Sequence, residues 1–386
     1  MPDSATKPSG VSERAWQLYR DAIVIDTHND MPSKVVDDGY DPDVAHSSVE
    51  GHTDLPRLLR SGLTAQFFAA WVDAPYADAH PDGSFARAVT LIESIHAFVD
   101  RNPRQLAFAT TAGDVRRAKR DGTVAILIGV EGGHAIESSL DKLRQLYQRG
   151  ARYMTLTWNN GNTWAGSSIG VNGTRTGGLT DFGKEVIREM NRLGMLVDLS
   201  HVSDATLADA IAVSDAPVIA SHSSARTLSD HPRNLRDEQL RAIADTGGIV
   251  CVNFYPRFLD SRYAHAMREM DDTIRADSEA RRAAGEEEDR VREAAAAMRA
   301  ELQPRIPAMP LSVLIDHFDH IARVAGVDHV GIGSDFDGIS AVPAQMEDVT
   351  ALARIVDALL ERGYSASDVT KMLGANVMRV MEQVLR

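Results

Sequence analysis

Six side chains suited to metal ligation or proton transfer close apolar runs in this chain. In VIDTHND the apolar stretch leads through Asp26 to His28 and Asp30; Glu131 follows AILIGV, His201 follows LVDLS, His222 follows PVIAS and Asp335 follows VGIGS. Residues two apart in a strand project to one face, so His28 and Asp30 can converge at a strand's C-terminal end. Taken singly, each of these residues reads as a satisfied structural group. Concentration at the same end of five separate runs does not, because structural accidents would scatter along strands and loops. Three imidazoles with carboxylates and no thiolate favour two zinc ions, with manganese or cobalt as substitutes. The donors are too many for one four-coordinate ion that keeps an open position, and suit a pair sharing a bridging carboxylate. Solvent held by such a pair loses a proton near neutral pH, so hydrolysis is the expected chemistry.

The elements that must position these groups are legible as repeats of one pattern. Eight apolar runs recur, at 22–30, 64–72, 124–133, 151–158, 194–201, 216–223, 247–255 and 329–338. Most are nearly continuous rather than alternating, as in parallel strands covered on both faces. Helical segments lie between them. GKEVIREMNRLG puts Val186, Ile187, Met190 and Leu193 on one stripe with Gly194 placed to end it, and Ser203 or Asp204 can cap the next helix. Alternation of this kind predicts an α/β chain folded as a (β/α)8 TIM barrel, with a doubly wound open sheet as the alternative. The expected organisation is one barrel domain over residues 1–386, with an N-terminal segment at 1–20 and a charged helical insertion at 260–305 after the seventh strand. That insertion, rich in Ala, Glu and Arg, reads as one or two solvated surface helices.

Composition narrows the class. The net charge of −14 argues against nucleic acid as a partner, since phosphate neutralisation needs a basic face. Hydrophobic residues at 44% and charged residues at 25% exclude general disorder. The one cysteine, Cys251 in IVCVNF, permits no internal disulfide and reads as a buried small hydrophobe. MPDSATKPSG has no basic-then-apolar leader and no run of about 18 apolar residues occurs, so neither secretion nor a membrane span is expected, and a cytoplasmic location is.

At these residues the sequence resembles the membrane (renal) dipeptidase family of binuclear zinc hydrolases, an amidohydrolase-like TIM barrel. The matching stretches include IDTHND, HTDLPRL, GVEGG, RYMTLTW, GLTDFGKEVIREMNRLGMLVDLSH, VIASHSSAR, RNLRDEQL, VCVNFY and VGIGSDFDG, from residue 22 to about 380. The resemblance implies that His28 and Asp30 bind one zinc, His201 and His222 the other, and Glu131 bridges them. It implies that Asp335 carries the proton, Arg233 grips the substrate's carboxylate and Tyr255 lies on the pocket wall. Same-face reasoning alone does not choose between Asp335 and Asp337. The implied substrates are dipeptides, with a D-residue tolerated at the C-terminal position, and the implied assembly is a homodimer.

One position departs from the family. Where the renal members carry a histidine that helps hold the tetrahedral intermediate, this chain has Trp158, followed by Asn159 and Asn160. An indole offers one donor and no charge. Oxyanion stabilisation then falls on the metal, Asn159 or Asn162, or the tryptophan packs an apolar substrate side chain. This departure keeps open a related hydrolase acting on N-acyl amino acids, lactones or β-lactams, beside the further alternative of a non-catalytic metal-binding scaffold. Of the other histidines, His52 and His134 lie near loop motifs. His317 and His320, flanked by Asp316 and Asp319, read as a solvated helix face.

Overall fold

The computed structural model describes residues 5–76, 83–170 and 177–386. Among the described residues nine parallel strands form one sheet: β1 (Ile25–Asp26), β2 (Ala65–Trp71), β3 (Leu106–Phe108), β4 (Val124–Glu131), β5 (Ala151–Thr155), β6 (Leu196–Asp198), β7 (Ile219–Ala220), β8 (Ile249–Val252) and β9 (Val330–Ile332). Eight of them close into a barrel flanked by helices, the TIM architecture expected from the repeats. Closure comes from β2 lying against β4 over its whole length, from Ala65 opposite Ala125 to Trp71 opposite Glu131.

The ninth strand, β3, is an addition that the sequence pattern did not announce. The other edge of β4 is shared: β3 pairs with Val124–Ile126, and β5 takes over from Ile128, with a register shift between Ile128 and Gly129. LAF is too short an apolar run to stand out from its surroundings.

Strand alternation decides what the barrel interior contains. Ile25, Ala65, Phe67, Ala125, Leu127 and Tyr153 pack together inside the lower barrel. Continuing the same two-residue period along β2 and β4 turns Trp71 and Glu131 inward at the C-terminal rim. The outward-facing residues of the strands, Phe68, Ile126, Ile128 and Val130 among them, join the larger cluster beneath the helices.

The helices follow local signals. Asp181–Leu193 starts where the Thr180 side chain accepts from the Gly183 amide and ends at Gly194, whose φ of 77° an L-residue rarely adopts. Val186, Ile187 and Met190 are buried as the stripe predicts. Ser203 caps Asp204–Val213 by accepting from the Thr206 amide. After β8, the seventh strand of the closed barrel, the charged segment forms two helices, Ser261–Ala283 and Glu288–Leu302. Their apolar seam is narrow rather than missing: Tyr263, Met267, Met270 and Ile274 are buried at spacings of one turn. So narrow a stripe among Ala, Glu and Arg reads as weak periodicity in the sequence. No helix among the described residues is long and apolar enough to cross a membrane.

His317 and His320 correct the expectation of a solvated face, because both are buried in the helix Leu311–Ala325. His317 Nδ1 accepts from the Ala225 amide at 3.1 Å and its Nε2 donates to the Leu259 carbonyl at 3.0 Å. His320 Nε2 lies 2.7 Å from Asp237. The two aspartates that suggested a solvent face pair with Arg362 instead.

Burial lowers the pKa of His317 from 6.5 to about 4. The fold therefore favours its neutral form, so its contribution to stability is complete above 6.5 and is lost as pH falls toward 4. His317→Leu orphans the Ala225 amide and the Leu259 carbonyl, and should cost roughly 2–4 kcal/mol at neutral pH. Thermal unfolding of the variant should also show a smaller loss of stability on acidification than the parent; an equal loss would remove His317 from the acid response.

Candidate active site

Glu131 ends β4 pointing into the barrel mouth, and three imidazoles meet it there. Its Oε2 lies 3.3 Å from His28 Nε2, and its Oε1 lies 2.8 Å from His201 Nε2 and 3.4 Å from His222 Nε2. His28 Nε2 is also 3.3 Å from Asp30 Oδ2. The two imidazole nitrogens of His201 and His222 face each other at 2.9 Å. The structure thus brings together all five side chains expected as ligands, with one oxygen of Glu131 toward each half of the set.

The cluster fits divalent cations. His28 Nε2 is buried with no hydrogen-bond partner, although two carboxylate oxygens lie nearby, and Asp30 Oδ1 is likewise unpartnered. Orphans of this kind are rare unless something else satisfies them. Tetrahedral zinc with bonds of about 2.0–2.1 Å sets its ligand atoms roughly 3.3 Å apart, close to the separations seen here.

Each imidazole is oriented through its far nitrogen. Nδ1 of His28 lies 2.8 Å from the Tyr153 hydroxyl, Nδ1 of His201 lies 3.1 Å from Asn159 Oδ1, and Nδ1 of His222 lies 2.8 Å from Ser221 Oγ. All three partners can accept a proton from Nδ1, which leaves the Nε2 lone pairs free to ligate. Gly129 makes the first contact achievable, since a Cβ there would stand 1.9 Å from the Tyr153 ring.

Charge states follow from burial and neighbours. Burial, with the Arg233 cation adding, lowers His201 to about 3, and burial together with His28 holds His222 well below its ordinary value. Both are neutral at pH 7, as ligation requires. Burial acts to raise Glu131, but the facing imidazoles, His28 foremost, outweigh it and keep the carboxyl ionised. Burial pushes Asp335 up to about 8, with Asp30 and Glu131 adding repulsion against the lowering effect of His28. A bound cation acts on this group in the opposite direction.

The two aspartates after β9 meet different partners. Asp335 and Asp337 both adopt left-handed φ, 64° and 67°. Asp335 faces His28 and Asp30, and its Oδ2 accepts from Asn253 Nδ2 at 2.8 Å. Asp337 turns away and locks onto His52: its Oδ1 accepts from the His52 amide at 2.7 Å, while its own amide donates to His52 Nδ1 at 2.9 Å. His52 is therefore the clamp of the loop that carries Asp335.

Arg233 is buried beside the cluster. Its guanidinium donates to the His222 carbonyl at 3.2 Å and reaches Ser223 Oγ at 3.5 Å, its Nε has no partner, and no carboxylate among the described residues pairs with it. Burial lowers it to about 10, so it remains a cation at neutral pH. Tyr255 is half-buried, with its hydroxyl 3.1 Å from Ser340 Oγ. Trp158 tilts beside His201, ring centres 6.4 Å apart. Asn162 is committed to its own loop, accepting from the Trp164 and Ala165 amides.

A family model described as membrane dipeptidase (peptidase family M19) matches residues 12–386. The chain belongs to this family. Among solved structures, the probable dipeptidase PvdM from Pseudomonas aeruginosa is 26% identical with a TM-score of 0.82, over 98% of this chain and 99% of that one. A metallo peptidase from Rhodobacter sphaeroides, liganded with a phosphinate mimic of the dipeptide L-Ala-D-Ala, is 26% identical with a TM-score of 0.74, over 94% and 100%. A dipeptidase AC of family M19 matches with the same identity and TM-score, over 94% of this chain and 99% of that one. This M19 chain is accordingly a metallopeptidase, with a candidate metal site of His, Asp and Glu side chains.

The residues to which sequence reasoning gave no role in this M19 site lie one layer below the donors. Asp198, on β6, accepts from Ser221 Oγ at 2.6 Å and Thr155 Oγ1 at 2.5 Å, so it ties β5, β6 and β7 together and polarises the hydroxyl that orients His222. Asp26 accepts from the Ser334 amide at 2.8 Å and hydroxyl at 2.5 Å, joining β1 to β9. The available signal was an aspartate shortly before a site histidine inside an apolar run. Gly338 is the third: a Cβ there would stand 2.2 Å from Asp30 Oδ2 and 2.6 Å from Asp335 Oδ1. Gly338→Ala should displace both carboxylates and weaken divalent-cation binding at least about tenfold, the size of effect seen on disturbing the supports of metal ligands. Chelator competition measures it; unchanged affinity would show that neither carboxylate is held where the ions bind.

Proposed function

We propose that this chain is a binuclear zinc dipeptidase that cleaves the peptide bond of dipeptides and tolerates a D-residue at the C-terminal position. The observation that carries the reading is the convergence of His28, Asp30, Glu131, His201 and His222, with a buried orphan nitrogen among carboxylates. His28 and Asp30 would hold one ion, His201 and His222 the other, and Glu131 both. When bound, such a pair polarises a carbonyl and supplies an activated solvent nucleophile.

The chain's own groups account for the remaining work. Arg233, a buried cation lacking a carboxylate, is matched by the free carboxylate of a dipeptide, which its planar fork can grip through two bonds. That anchor limits substrate length on the C-terminal side. Asn253 holds one oxygen of Asp335, leaving the other toward the site. Asp335 takes the proton released as solvent adds to the scissile carbon and delivers it to the amide nitrogen as the C–N bond breaks. The family relation and the dipeptide mimic bound to the R. sphaeroides relative support the substrate class.

Asp335→Asn should keep its metal content while kcat falls by about 10²–10⁴, the usual contribution of general acid–base catalysis. Full activity in that variant would remove Asp335 from the reaction. Metal analysis should find two equivalents, with activity lost to chelation and restored by zinc. A panel of L-L and L-D dipeptides set against N-acyl amino acids tests the substrate class directly. Turnover confined to N-acyl compounds would overturn the dipeptidase assignment.

A further inference from the structure

The four tryptophans divide into two kinds. Trp16 and Trp164 are buried, 8% and 1% exposed, whereas Trp71 and Trp158 stay partly open at the barrel rim. The rim pair forms a corner, ring centres 5.1 Å apart and planes at 68°. Trp71 is the strand partner of Glu131, which sets it at the height of the bridging carboxylate and on the same inward face. Trp158 tilts beside His201 at 36°. Trp71 Nε1 makes no hydrogen bond, so packing alone holds that ring.

Two partly open indoles in contact, one on the inward face level with Glu131 and one beside His201, form an apolar surface that water covers poorly. A large apolar side chain is the complement of such a surface, and edge-to-face packing adds to burial when that side chain is aromatic. We propose that the Trp71–Trp158 corner is a subsite for a large apolar side chain, so that the enzyme selects dipeptides carrying Leu or Phe over those built from Ala. This deepens the function proposed above and rests on it.

The test uses the full-length, zinc-loaded protein. Values of kcat/KM are measured for X-Ala and Ala-X dipeptides with X as Ala, Leu or Phe, and calorimetry measures binding of phosphinate mimics of Ala-Ala, Ala-Phe and Phe-Ala. At one of the two positions, Leu and Phe should exceed Ala by about 10- to 100-fold, the range apolar pockets reach, and the mimics should follow the same order. Trp158→Ala and Trp71→Ala should each bring that ratio to within about threefold, while Trp158→Phe keeps most of it. A corner that merely shields the histidines predicts losses equal for all substrates, and that result would overturn the subsite. Hydrolysis of dipeptides without size dependence would overturn the subsite alone. Failure to cleave any dipeptide or bind any mimic would overturn the proposed function and the subsite together.

Discussion

Glu131 sets the terms for the rest of the molecule. A carboxylate 3% exposed would ordinarily take up a proton, because burial penalises its charge. Here three imidazoles from separate strand ends face it, and the ionised form wins. That balance holds only if His28, His201 and His222 all present Nε2 to one point. A parallel barrel does this, because every strand delivers its last inward residue to the same rim. A sheet open at β2 and β4 would leave Glu131 facing water instead of its partners.

The supports beneath this rim are polar and fully tied. Asp26 and Asp198 each span neighbouring strands through serine hydroxyls and amides, so two further buried carboxylates are hydrogen-bonded. They act on different scales at once. Asp198 fixes three strand ends and also orients the hydroxyl against His222, which couples barrel closure to the direction of one lone pair. Below them the interior is apolar and packed by Ile25, Phe67, Leu127 and Tyr153, and Tyr153 bridges the two zones through its hydroxyl.

How much of this was legible in the sequence depended on periodicity. The apolar runs announced the barrel strands, and their polar last residues announced the rim, because strand alternation converts sequence position directly into direction. β3 escaped because three residues carry no period. The buried seam of the Ser261–Ala283 helix escaped because one apolar residue per turn is lost among alanines and charges. His317 and His320 were misread since flanking aspartates mark a charged helix without saying which flank meets solvent; Arg362 draws those aspartates one way and packing draws the histidines the other. Sequence spacing could not choose between Asp335 and Asp337. What separates them is contact across the fold: His52 engages Asp337 from 285 positions away, while Asp335 faces His28 and Asp30.

The left-handed conformation of Asp335 and Asp337 has a consequence for descent. Outside glycine, asparagine, aspartate and histidine enter that region more readily than other residues, so the backbone biases these positions irrespective of what they do. A descendant relieved of all enzymatic duty would still favour acidic or amide residues there, simply to keep its chain path. Persistence of the pair in a lineage therefore testifies to a preserved turn before it testifies to preserved turnover, and the imidazoles, free of any such conformational hold except at His201, are the more faithful record of activity.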